Sequence, residues 1–172
     1  MIGLLIVAKL PQRGFPDFFT GWMLLMRAAH IWKQSGRISL WRYTENERNY
    51  PGWHFNADAA GCHSLVALLD ALSRDGEGTR TVSISAPAND QLRVPNNKSG
   101  LAAWQAPDKL KVILSARPDD WSFPPAIEPA VVTLGTSWLA PLSEGIQGIA
   151  KGRGDHAIGS KDHHLWFWWC LG

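Results

Sequence analysis

The stretch WHFNADAAGCHSLVALLDALSRD, Trp53 to Asp75, contains the most regular pattern in the chain. Leu65, Leu68, Leu69 and Leu72 recur at the spacing of one helical face. Asn56 or Asp58 supplies the N-cap, because a short side-chain oxygen accepts from an otherwise unpaired amide of the first turn. Gly76 stands where helices end in a left-handed residue. The spacing therefore predicts a helix over about residues 57–74. Continued backward, the leucine stripe takes in Cys62 and then Asp58, so Cys62 falls on the buried side. His63 falls on a flank with Val66, Ala67 and Asp70.

This helix start holds the densest cluster of reactive side chains. A thiol near a helix N-terminus is placed to act as a nucleophile. His63 is no base for it, since adjacent helical residues point apart. The base would come from His156, His163 or His164, with Asp58 or Asp155 orienting it. His54, Asp58 and His63 form an alternative ligand set, but their spacing fits no metal site. The plainer reading makes Cys62 a small core residue and Asp58 a cap. Neither a metal nor a cofactor is called for.

Working outward, residues 2–8 (IGLLIVA) form an apolar run suited to a central strand covered on both faces. The run is short, has no leading basic region and no small-residue cleavage site after it, so it is not read as an export signal. A helix follows from Pro16 to about Gln34, with Phe18, Trp22, Leu25, Ala29 and Trp32 on one stripe. Strands are predicted over residues 38–43, over 50–55 as an edge strand because of Pro51, over 81–86, over 110–115 and over 131–134. Residues 117–129 read as a connection, and 137–150 as only weakly helical, because Pro141, Gly145 and Gly148 interrupt it.

Two further segments draw attention. Residues 88–107 lack periodicity but contain Arg93, Asn96, Asn97 and Lys98, a set able to hold a small anion or phosphate. A solvated loop fixed by its Asn side chains is the plainer account. Near the end, Gly152, Gly154 and Ala157 mimic a dinucleotide fingerprint without the strand and helix it requires, so this part reads as glycine turns. Residues 163–170 then form a strand. Trp166 and Trp168 share a face with His164, and this aromatic face is a candidate binding surface.

The 172 residues suffice for one domain, residues 1–172, with no linker or repeat. A net charge of +2, dispersed along the chain, is not the footprint of a nucleic-acid binder. No apolar run is long enough for a membrane span. Two cysteines give no disulfide framework and point to a reducing, cytoplasmic setting. Ten tryptophans exceed what a core of this size readily absorbs.

The order of elements predicts an α+β two-layer sandwich. A mixed, mostly antiparallel sheet of about five to seven strands carries two main helices on one face. The function expected is that of a non-enzymatic protein-binding module of the immunity or inhibitor type, with a protein partner or a second copy of itself. The alternatives are a cysteine-dependent hydrolase or transferase using Cys62 with His163 or His164 and Asp58, and a small-anion-binding domain using Arg93, Asn96, Asn97 and Lys98.

Overall fold

The computed structural model describes residues 28–45, 50–94, 97, 100–123, 126–154, 156–159 and 164–169. The strand expected over 2–8 lies outside these residues. So does most of the helix expected over 16–34, of which α1 (Ala28–Ile31) is described.

The fold is α+β, as the pattern predicts, with the strands divided between two sheets. The first has the order β4-β1-β2-β9-β8. Its strands are β1 (Ile38–Tyr43), β2 (Trp53–Ala57), β4 (Trp104–Gln105), β8 (His156–Ile158) and β9 (Leu165–Phe167). The second has the order β3-β5-β7-β6. Its strands are β3 (Gly78–Ser83), β5 (Lys109–Leu114), β6 (Trp121–Ser122) and β7 (Ala130–Leu134). β2 pairs with β9, and β5 with β7, in parallel; the other pairings are antiparallel. The principal helices are α2 (Ala59–Asp75) and α3 (Leu139–Ala150). Among the described residues no helix is long and apolar enough to cross a membrane.

β2 lies in the middle of its sheet, not at an edge. Pro51 precedes the strand, and Gly52 turns the chain into it at φ +102°, so the missing proline N–H removes no ladder bond. All five residues of β2 are buried. Alternation sends Trp53, Phe55 and Ala57 to one side, where they meet Ile38, Leu40, Leu165 and Phe167. Leu65, Leu68, Leu69 and Leu72 of α2 close on the same cluster, together with Leu110, Val112 and Leu114 of β5 and Val132 and Leu134 of β7. Both sheets thus share one core with the helices.

The helix start is built as its sequence suggests, two residues further along. Ala57 ends β2 and Asp58 is the cap, accepting from Gly61 N at 2.7 Å. Its other oxygen accepts from Arg37 N at 2.9 Å, tying the loop before β1 to the helix. A Cβ on Gly61 would lie 2.3 Å from the Arg37 carbonyl oxygen, so glycine is what lets that loop close on the first turn. Gly76 ends the helix at φ +78°.

α3 is a full helix where only weak helical character is predicted. Pro141 is its third residue, where a missing N–H breaks no intrahelical bond. Gly145 faces the ring of Phe167, and a Cβ there would stand 2.6 Å from Cζ. The glycine that weakens the pattern is therefore the point of closest helix-to-sheet approach. The segment 117–129, expected to be a plain connection, contributes β6, paired to β7.

Gly145→Ala tests this packing. On an exposed helix the change would stabilise by up to about 1 kcal/mol. Here overpacking against Phe167 is expected to win, with a net loss of about 1–3 kcal/mol in urea denaturation. A gain in stability would show that the contact yields freely.

Candidate functional site

The outer face of the first sheet carries the most elaborate polar chemistry among the described residues. Trp41, His54 and Trp166 stand side by side across β1, β2 and β9. His54 is wholly buried. Its ring stacks between Trp41 at 5.5 Å and Trp168 at 5.7 Å, with Tyr43 edge-on at 4.9 Å. Trp168 Nε1 donates to His54 Nδ1 at 2.8 Å, so the neutral ring carries its proton on Nε2. Burial pushes the His54 pKa down to about 3, opposed by a looser hydrogen bond to the Tyr50 backbone. Burial also raises the Tyr43 pKa, opposed by the nearby Trp41 and Asn97 side chains.

Leu92, Val94 and Ala102, from the described residues after β3, pack on this face with Trp41, Tyr43 and Trp168, and side chains tie this cover down. Tyr43 donates its hydroxyl to the Leu92 carbonyl at 2.9 Å. Gln91 donates to Asn56 Oδ1 at 2.6 Å, while Asn56 Nδ2 donates to the Trp168 carbonyl at 2.6 Å. Asn97 Oδ1 accepts from Ala102 N at 2.9 Å. The side-chain N–H groups of Trp41, His54 and Asn97 make no well-formed bond among the described residues. An imidazole sealed in this way and neutral near pH 7 has no route for exchanging protons with a substrate. Its chemistry is cohesive.

The residues singled out by sequence do not assemble into one site. Cys62 is buried on the helix stripe, and its Sγ contacts the Ala57 carbonyl at 3.6 Å. Asp58 is engaged as the cap. His164 sits at the opposite end of β2, where its carbonyl accepts from Trp53 N at 2.9 Å. The four residue steps of β2 separate these ends by about 13 Å. His156 is on edge strand β8, stacked on Phe167 at 5.0 Å. His163 and Asp155 lie outside the described residues, as do Asn96 and Lys98. Arg93 is exposed, whereas Asn97 is turned inward as a loop brace.

Trp166 is half-buried and donates to the Pro51 carbonyl at 2.9 Å; Trp168 is buried. No group of three or more His, Cys, Asp or Glu side chains is placed to hold a metal among the described residues. His54 is the residue sequence reasoning undervalued. Its signal was the alternation in WHFNA, which sets it on the face opposite Trp53 and Phe55.

Of the tryptophans, Trp41, Trp53 and Trp168 are buried, and Trp32, Trp121, Trp138 and Trp166 are partly so. Trp104 and Trp169 remain 36% and 41% exposed. Trp104 is on β4, the outermost strand on its side of the first sheet among the described residues, and Leu101, three residues before it, is 85% exposed.

Two measurements probe this arrangement. The folded pKa of His54 lies below its unfolded value of 6.5, so the unfolded chain binds more protons between these limits. Stability is therefore full above about pH 6.5 and falls on acidification toward pH 3, by up to about 1.4 kcal/mol per pH unit. Urea denaturation is expected to show about 2 kcal/mol lost between pH 7 and pH 5, and His54→Asn, which keeps an acceptor for Trp168, to remove most of that slope. An unchanged slope in the variant would contradict the assignment. In a Cys170→Ser background, Cys62 is expected to react with a thiol reagent only as fast as the chain opens, and fully in urea. Rapid labelling in the native state would instead mark it as a nucleophile.

Comparison with protein-family models, with curated proteins and with solved structures finds no match to this chain.

Proposed function

We propose that this protein acts by binding another protein, as a non-enzymatic module of the immunity or inhibitor kind working in the cytoplasm, through the β4 edge of its first sheet. The observation that supports this reading is that Leu101, 85% exposed, lies three residues before Trp104, which stands on an edge strand among the described residues. Apolar side chains held on an edge whose interior is rigid suit burial against a partner. The thiol reading has less support, because Cys62 is buried and the described histidines stand apart from it.

The test is recovery of the untagged protein from its own host with any bound polypeptide, followed by binding of the purified pair. Trp104→Ala and Leu101→Lys are each expected to weaken that binding by tenfold or more, on the order of 2 kcal/mol for a buried anchor, with the melting temperature unchanged. Binding that survives both changes would exclude this edge, and a chain that emerges alone would remove the reading.

A further inference from the structure

On the far side of the same sheet, a cleft of about 370 Å³ opens between α3 and β8. β4 and β8 are opposite edges of the sheet, so this cleft is independent of the surface discussed above. Gly145 and Gly148 line it without side chains. Glu144 lines it from α3, Arg153 and His156 from the chain that follows, and Ile158 adds an apolar contribution. The size is that of a small-molecule site.

The basic wall is held in place by the way α3 ends. Arg153 N donates to the Gly148 carbonyl at 2.8 Å and Gly152 N to the Ile149 carbonyl at 3.0 Å, with Gly152 at φ +69°. This closure fixes where Arg153 leaves the helix. His156 is steadied by its stacking on Phe167 at 5.0 Å. A Cβ on Gly148 would lie 3.2 Å from the Arg153 carbonyl oxygen, so glycine there favours the close return of the chain, with His156 Cε1 in ordinary contact at 3.9 Å.

Glu144 and Arg153 line one cleft yet form no ion pair with each other. Opposite charges that line one cleft without pairing select their ligand by complementarity. A simple anion would face the Glu144 carboxylate, and a simple cation would face Arg153. We infer that this cleft binds a small zwitterion of the amino-acid type. Its carboxylate is taken by the Arg153 guanidinium and the His156 N–H, and its ammonium by Glu144.

The experiment is NMR titration of the full chain, following the His156 ring and the Gly148 and Arg153 amides. The probes are a panel of free L-amino acids, with acetate and methylamine as single-charge controls. At least one amino acid is expected to give saturable shifts at all three positions, with neither control doing so over the same range. Glu144→Gln and Arg153→Gln are each expected to weaken that binding about tenfold or more, and Arg153→Lys to restore part of it. All three side chains are exposed, so the variants should melt with the native protein. Absence of saturable shifts with every amino acid would overturn the proposal. So would acetate binding as tightly as the best of them, or affinity unchanged in both Gln variants.

Discussion

The structure depends on one constraint: β2 is buried on both faces. A strand with water on one side tolerates polar residues there at no cost. Once covered, the same residues must find partners, because an unpaired buried donor costs roughly 1–3 kcal/mol. His54 and Asn56 are the polar residues of WHFNA, and both point away from the main core. Their burial therefore requires acceptors and donors from elsewhere in the chain. Trp168 and Gln91 provide them, at 2.8 Å and 2.6 Å. The strand cannot sit where it does unless β9 and the segment after β3 are both in place.

This accounts for much of the tryptophan content. Trp41 and Trp168 are the walls around His54, and Tyr50 stacks edge-on against Trp166 and Trp168. Aromatic pairs of this geometry contribute about 0.5–1.5 kcal/mol each beyond their area, which helps offset N–H groups left without a good partner. Several indoles also anchor chain ends through their N–H: Trp32 to Ser64, Trp138 to Asp119 and Trp166 to Pro51. What looks in composition like a surplus for a binding face is largely core: Trp53, with Trp32, Trp121 and Trp138 at its margin, belongs to the main cluster, and Trp41, Trp168 and Trp166 to a second, smaller one. Trp104 and Trp169 lie outside that explanation.

The parts legible in sequence were those with a period. The α2 stripe gave the helix, its cap, and the burial of Cys62, and alternation gave the faces of β1 and β9. α3 was obscured because its two glycines serve contacts with Phe167 and Arg153 that no local pattern announces. The position of β2 was misjudged for a similar reason. Pro51 marks an edge only if it lies within the strand, and it lies just before. The cover over residues 84–107 was illegible because it is fixed by single side-chain bonds from Tyr43, Gln91 and Asn97, which have no spacing rule. His54 could be assigned a face from its neighbours. Its cage depends on Trp168, more than a hundred residues on, and that pairing is a property of topology.

The same constraint governs where function can reside. The groups that first attract a chemist here are Cys62, Asp58 and His54, and the fold engages all of them: one packed, one capping, one sealed. Groups so engaged cannot also serve a ligand without releasing the structure that they hold. The exposed apolar side chains and separated charges at the margins of the first sheet are not committed in this way. Leu101 and Trp104 stand at one margin, and Glu144, Arg153 and His156 at the other. Both margins are ended by short strands, β4 of two residues and β8 of three, which offer little backbone for indiscriminate pairing. A rigid, doubly covered middle holds these margins in place, and binding at either then costs little reorganisation. In this chain the reactive residue types mark where the structure is held together, and the residues proposed for recognition stand at the sheet's edges.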